Sequence, residues 1–204
     1  MVYGDREGPN LLFSTGLFGT MPDYLYGDLL KELQKNMTIL TINGPIFSKD
    51  VVDLTNLLKV DDISYLAHSS FDYDILECGV IKNAVLVDPI CIPKITMNPF
   101  LKVEMASVAL DYPCSVIKSE KLYKSSLDLP SWQELDIDGD VTYEMYCDVG
   151  HPDILDDFWA NLAKITNLWG TADWNFGTAE NAFQIRKEYR SYIVQMCKTR
   201  LLKQ

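Results

Sequence analysis

Short apolar runs alternate along this chain with longer segments whose apolar residues recur at helical spacing. Parallel strands need long crossover connections, and helices are the usual ones, so this alternation favours a parallel sheet covered by helices. We predict an α/β fold of about six mainly parallel strands with helices on both faces. The runs predicted as strands are residues 10–14, 37–42, 63–67, 83–87, 114–118 and 141–147.

Four segments between and after these runs carry apolar residues three and four positions apart, which is typical of amphipathic helices. They cover residues 25–33, 51–58, 154–165 and 182–196. Residues 119–140 fit neither pattern, because they are acidic and rich in turn-forming residues, and we expect an exposed excursion there. With 204 residues, 48% of them hydrophobic, we expect one domain over residues 1–204.

Composition removes several classes of function. The net charge is −11 and the basic residues are scattered, so we expect no nucleic-acid partner. Five cysteines without a C-x-x-C pair, beside two histidines, predict neither a disulfide framework nor a zinc site. No apolar run approaches the roughly 18 residues of a membrane span, and we see no signal peptide. We expect a soluble, intracellular protein that requires no metal or cofactor.

Ser69 follows the apolar run 63–67 and is the candidate nucleophile. A serine attacks a carbonyl carbon only when a base takes its proton, and His68 and His151 are the two imidazoles of the chain. His68 is adjacent to Ser69 within the turn, so its side chain should point elsewhere. This leaves His151 as the predicted base.

A nucleophile on a sharp strand-to-helix turn also needs donors for the developing oxyanion. The backbone N–H of Ser70, directly after the nucleophile, would supply one. The apolar segment Leu12-Phe13-Ser14 leads into a glycine-containing loop, where Leu17 would offer the second N–H. A purely structural turn is the alternative for this loop.

Four blocks of the sequence resemble the α/β-hydrolase superfamily, and more narrowly its chlorophyllase-like branch. They resemble in turn a strand ending in His-Gly, a Gly-His-Ser elbow, a strand ending in Asp-Pro, and a Gly-His-x-Asp-x-Leu-Asp-Asp block. The four blocks are Leu12-Phe13-Ser14-Thr15-Gly16, Leu66-Ala67-His68-Ser69, Val85-Leu86-Val87-Asp88-Pro89 and Gly150-His151-Pro152-Asp153-Ile154-Leu155-Asp156-Asp157.

The resemblance implies a minimal α/β-hydrolase fold in which the usual N-terminal strands are missing. It also implies that Asp88 is the acid of a Ser69, Asp88, His151 triad, in the superfamily's chain order. Glu120 is the fallback, because the commoner position for the acid follows the next strand. Asp153 and the two aspartates after it stand where a helix begins, and we expect them to cap it.

The resemblance implies a serine carboxylic-ester hydrolase acting on a small-molecule ester with an apolar part, since chlorophyllase-like enzymes cleave a long-chain alcohol ester from a tetrapyrrole. The alternative is a catalytically inactive hydrolase-fold protein that serves as a binding or structural module. Phe71 and Asp72 stand where the family has Gly-Gly, and Thr15 replaces a loop histidine. Two roles are open for three aromatic residues, which would either line an apolar pocket or pack in the core. They are Trp169, Trp174 and Phe176.

Overall fold

The computed structural model describes residues 1–4, 8–16, 19–42, 44–90, 107–120, 136–166 and 182–201. Helices separate the first parallel strands, as predicted, and the 3-10 turn Tyr73–Glu77 separates the strand that ends at Ser70 from the strand that begins at Ile81. The strands are β1 (Val2–Tyr3), β2 (Asn10–Ser14), β3 (Thr38–Thr41), β4 (Ile63–Ser70), β5 (Ile81–Ile90), β6 (Ser107–Ala109), β7 (Cys114–Ser119), β8 (Asp136–Asp138) and β9 (Val141–Tyr146). The α-helices are α1 (Gly27–Leu33), α2 (Ser48–Leu58), α3 (Asp157–Thr166) and α4 (Ala182–Leu201).

Within the described residues, seven strands form one sheet in the order β1-β3-β2-β4-β5-β7-β9. Every pair is parallel except β1 with β3, which is antiparallel. All six predicted strands are present and the mainly parallel sheet is confirmed. The segment expected as an exposed excursion, residues 119–140, is partly ordered into strands. Ser119 is buried at the end of β7, and residues 136–138 form β8 beside β6. Residues 121–135 lie outside the described part of the chain.

Side chains of the central strands alternate between two cores, one on each face of the sheet. Leu11, Phe13 and Leu66 pack on the face covered by α1 and α4. Leu12 and Tyr65 pack on the opposite face with residues of α2 and of the 3-10 turn Tyr73–Glu77. This double burial explains why the central strands carry mainly apolar residues on both faces.

The chain leaves β2 toward one side, forms β3, and returns across β2 to form β4 on the other side. Such a reversal opens a crevice outside the carboxyl ends of β2 and β4, which is the usual place for a ligand in an open parallel sheet. Ser69 and the loop that follows β2 lie at this crevice.

None of the helices that the structure describes combines the length and the apolar character needed to cross a bilayer.

Candidate active site

Ser69 lies in a strained backbone conformation at the carboxyl end of β4. Its φ is +66°, in the left-handed region that residues with a side chain rarely adopt. Such strain costs about 1–3 kcal/mol and persists where the surrounding structure enforces it. Ser69 is buried but for 6% of its surface. The sharp turn is the geometry that the sequence predicts for a nucleophile elbow.

His151 begins a 3-10 turn, His151–Ile154, in the connection between β9 and α3. Its Nε2 is 2.9 Å from Ser69 Oγ, and its Nδ1 is 3.3 Å from Asp88 Oδ2. A carboxylate can only accept, so Nδ1 carries the proton and Nε2 accepts from the serine hydroxyl. The three predicted triad residues are therefore brought together, in the order and tautomer that proton transfer from Ser69 requires.

Asp88, near the end of β5, is 1% exposed and is held by the neighbouring strand. The backbone N–H of Ser119 donates to Oδ1 at 2.6 Å, and the Ser119 hydroxyl donates to Oδ2 at 2.8 Å. A buried carboxylate needs such partners, because burial of an unpaired charge is costly. Ser119 thus occupies the strand end where the superfamily more often has its acid, and it orients Asp88 from there.

Left-handed backbone is concentrated around this cluster. Among the described non-glycine residues, positive φ occurs at Lys59, Ser69, Asp88 and Asp148. Lys59 caps the carboxyl end of α2, where this conformation is common. The other three are the candidate nucleophile, the candidate acid and a residue of the turn that leads to His151. Clustering of backbone strain in one place is typical of functional sites.

Glu120, the fallback acid, has a different contact. Its Oε2 accepts a hydrogen bond of 3.0 Å from the backbone N–H of Asp148. Asp148 has a φ of +61° and lies three residues before His151. Glu120 therefore stabilises the strained turn before His151, and the geometry favours Asp88 as the acid.

The loop after β2 is closed by its own hydrogen bonds. Thr15 Oγ1 donates to the carbonyl of Met21 at 2.6 Å, and the Met21 N–H donates to the carbonyl of Gly16 at 3.1 Å. A Cβ on Gly16 would lie 2.8 Å from Met21 Sδ and 3.4 Å from the Cβ of Ser69. The absence of a side chain thus lets this loop approach the candidate nucleophile. Leu17, the predicted second oxyanion donor, lies outside the described residues.

Phe71, which stands in place of a glycine, is accommodated in the core. Its ring packs edge-on against Tyr65 at 5.9 Å, on the α2 side of the sheet, and is 6% exposed. Asp72 accepts a hydrogen bond from the N–H of Asp74 and caps the short 3-10 turn that follows. Ser70, the predicted first oxyanion donor, is 2% exposed. The two departures from Gly-Gly therefore have structural partners.

The aspartates that follow His151 bond to other parts of the fold, whereas the sequence predicts that they cap the helix that begins there. Asp153 Oδ2 accepts from the Gly150 N–H at 2.7 Å, and its Oδ1 accepts from Arg186 at 2.7 Å. Asp156 Oδ1 accepts from the N–H of Asp28, in the first turn of α1.

Asp157 begins α3 and pairs with Arg190 of α4 at 3.3 Å. Together with the bonds of Asp153 and Asp156, this ion pair ties the histidine-bearing turn to α1 and α4. The turn that carries His151 is thereby fixed from two sides.

His68 lies beside this cluster and is fully buried. Its ring stacks on that of His151, with centroids 4.5 Å apart. Burial, and after it the neighbouring His151, holds the pKa of His68 well below its usual value, so its imidazole is neutral. His68, Asp88 and His151 would also be close enough to ligate one metal ion. Both ring nitrogens of His68 already have protein partners, Tyr26 Oη and the carbonyl of His151, so hydrogen bonding accounts for the cluster.

Sequence reasoning missed Ser119, Tyr26 and Arg186 as parts of this site. Their partners lie 31, 42 and 33 residues away along the chain, and contacts of this range leave no periodic pattern. One signal in the sequence pointed to Ser119. It ends the strand after which the resemblance more often places the acid of the triad. The predicted aromatic residues Trp169, Trp174 and Phe176 lie outside the described residues.

No protein-family model matches the sequence, and no curated protein sequence matches it. Solved structures do match. A proline iminopeptidase-related protein from Thermus thermophilus aligns with 98% of this chain and 92% of its own, with a TM-score of 0.55 and 12% identity. The thioesterase domain that cyclises the lipopeptide antibiotic surfactin aligns with 84% and 95%, at 0.53 and 10%. An α/β-hydrolase from a lagoon-sediment metagenome at Mar Chica, Morocco, aligns with 83% and 92%, at 0.51 and 9%.

These likenesses show the fold. The mostly parallel seven-stranded sheet with its helices is a reduced α/β-hydrolase fold, and the structural neighbours are members of the α/β-hydrolase superfamily. At such identities they say nothing further about chemistry, which has to be argued from the residues at the carboxyl ends of β4 and β5.

Proposed function

We propose that this protein is a serine carboxylic-ester hydrolase. In the proposed mechanism Ser69 Oγ forms a bond to the ester carbonyl carbon while its proton passes to His151 Nε2. The N–H groups of Ser70 and Leu17 stabilise the resulting oxyanion. Asp88 keeps the Nδ1 proton of His151 in place and stabilises the imidazolium.

The tetrahedral intermediate then collapses. The bond to the alcohol oxygen breaks, and the leaving alkoxide takes the proton from His151 Nε2, which leaves the acyl group on Ser69. Water attacks this acyl-enzyme with His151 again as the base, the acid is released, and Ser69 recovers its proton. Each proton that His151 accepts is thus returned in the same half-reaction.

One observation carries the proposal. Ser69 has a left-handed φ of +66° at a strand end, and its Oγ is 2.9 Å from the Nε2 of a histidine whose Nδ1 faces a buried carboxylate. Strain at a serine is costly for folding alone, whereas in a nucleophile it exposes Oγ to a substrate.

An ester with an apolar part is the proposed substrate. Tyr24 and Phe158 are 59% and 67% exposed, and both rings contact Trp159, at centroid distances of 5.6 and 4.9 Å. Tyr24 lies in the 3-10 turn that follows the Gly16 loop, and Phe158 and Trp159 lie in α3, which follows the His151 turn. The resemblance to chlorophyllase-like enzymes, with the acid at Asp88, supports the narrower proposal of a long-chain alcohol ester of a tetrapyrrole.

A fluorophosphonate probe tests the mechanism, because it labels only an activated serine. We expect labelling of the wild type and none of Ser69→Ala. Ser64→Ala is the matched control, since Ser64 is a buried serine earlier on the same strand. It should label like the wild type.

Labelling of Ser69→Ala equal to that of the wild type, or none in either, contradicts the proposal. The second result, with circular dichroism showing a folded protein, favours the inactive binding module. For the narrower proposal, release of the free acid from chlorophyll is measured against hydrolysis of p-nitrophenyl butyrate. Turnover of the small ester alone restricts the substrate to simple esters.

A further inference from the structure

Tyr26 and His68 connect the two sides of Ser69 through buried hydrogen bonds. The Gly16 N–H donates to Tyr26 Oη at 3.1 Å, and this hydroxyl is 2.8 Å from His68 Nδ1. His68 Nε2 is 3.1 Å from the backbone carbonyl of His151. The series begins in the loop that approaches Ser69 Cβ and ends on the residue that carries the candidate base.

The donors and acceptors of this series have one consistent assignment. The carbonyl of His151 can only accept, so His68 Nε2 carries a proton and donates to it. His68 is neutral, which leaves Nδ1 as an acceptor. Tyr26 Oη accepts from Gly16 and therefore directs its own proton to His68 Nδ1. Burial raises the pKa of the Tyr26 hydroxyl, which keeps that proton in place.

Loss of the Tyr26 hydroxyl would break this series of hydrogen bonds at its centre. Without the hydroxyl, the buried Nδ1 of His68 would lack a donor and the Gly16 N–H would lack its acceptor. The ring of His68, which stacks on that of His151, would then be held through Nε2 alone. The base and the Gly16 loop would then both shift relative to Ser69.

From this geometry we infer that Tyr26 and His68 are positioning residues, whose series of hydrogen bonds holds His151 and the Gly16 loop around Ser69. The inference rests on the proposed ester hydrolysis for its effect on rate. The hydrogen-bond assignment itself can be tested without any reaction.

The first experiment measures the rate at which the fluorophosphonate labels folded protein. We expect Tyr26→Phe to label about 10- to 100-fold more slowly than the wild type, since small displacements of reacting groups have effects of this size. Tyr192→Phe is the matched control, because its buried hydroxyl has no hydrogen-bond partner among the described residues. It should label within about twofold of the wild type, the small effect usual away from such contacts.

A second pair of variants separates positioning from folding. His68→Gln keeps an amide donor for the His151 carbonyl, whereas His68→Leu keeps none. We expect glutamine to retain much more of the labelling rate than leucine, at similar melting temperatures. Wild-type labelling by Tyr26→Phe, or equal loss in the glutamine and leucine variants, would overturn the inference.

The second experiment reads the imidazole nitrogens directly by ¹H–¹⁵N correlation in labelled protein, which has only two histidines to assign. In the wild type, His68 should carry one proton, on Nε2. It should stay neutral even at pH values below about 6.5, the ordinary pKa of a histidine. In Tyr26→Phe the proton should stay on Nε2, and the Nδ1 signal should move toward that of a nitrogen that accepts no hydrogen bond. An unchanged spectrum in Tyr26→Phe refutes this series of hydrogen bonds. That result is separate from the proposed ester hydrolysis, because it can be obtained even if the wild type never reacts with the probe.

Discussion

Replacing Ser119 by alanine removes one of the two hydrogen bonds that this residue gives to Asp88. The hydroxyl bond to Oδ2, of 2.8 Å, is lost, whereas the backbone bond to Oδ1, of 2.6 Å, remains. Asp88 is 1% exposed, so water cannot readily take the place of the hydroxyl. Oδ2 then depends on His151 Nδ1, which is 3.3 Å away.

The expected magnitude follows from the charge and the burial of the acceptor. A hydrogen bond to a charged group contributes about 1.5–3 kcal/mol, and a buried acceptor left without its donor costs a similar amount. We expect the free energy of unfolding of Ser119→Ala to fall by about 2 kcal/mol. With an m-value of about 2 kcal/mol/M in urea, the midpoint should fall by about 1 M.

Urea unfolding near neutral pH, followed by tryptophan fluorescence, measures this change. Ser191→Ala, at an exposed position of α4, is the control and should stay within about 0.5 kcal/mol of the wild type. Fluorophosphonate labelling of folded Ser119→Ala should slow about tenfold, because Asp88 Oδ2 is held less firmly toward His151. A variant with wild-type stability and a wild-type labelling rate would refute the role assigned to Ser119.

Two further predictions concern the turn at the end of β4. Ser69→Gly should be more stable than Ser69→Ala by about 1–2 kcal/mol in urea unfolding, since only glycine adopts a φ of +66° without cost; equal stabilities would mean that the strain is absent. Burial lowers the pKa of His68, so below about pH 6.5 the unfolded chain binds a proton that the folded chain does not. As the pH is lowered from there toward the folded pKa, the free energy of unfolding should fall by about 1.4 kcal/mol per pH unit. His68→Gln should lack this part of the acid sensitivity, and parallel stability curves for the two proteins would contradict it.

The sheet was predictable because its strands are long enough to show a pattern. The run at residues 63–67 lies between two cores, and its mainly apolar character is typical of a central parallel strand. Strands β1, β6 and β8 contain only two or three residues each, too few for any periodicity. Their pairing depends on distant partners, so sequence pattern could not indicate them.

The candidate site was predictable where chain order and local chemistry coincide. Ser69 and Asp88 stand near the ends of β4 and β5, and His151 follows β9, so the parallel strands bring them to one edge of the sheet. The groups that orient them were not predictable, because Tyr26 and Ser119 are ordinary residues until the fold brings them against a ring or a carboxylate. Phe71 replaces a glycine of the family pattern, and only the fold shows that its ring packs against Tyr65 in the core.

The bonds made by the block at residues 150–157 have a consequence for how such sequences evolve. Asp153, Asp156 and Asp157 anchor α1 and α4 to the turn, so selection for a folded chain is enough to preserve them. A relative without a serine at position 69 would keep the block for the same reason. Whether a relative turns over substrate is therefore better judged from the residue at position 69 than from the longest match.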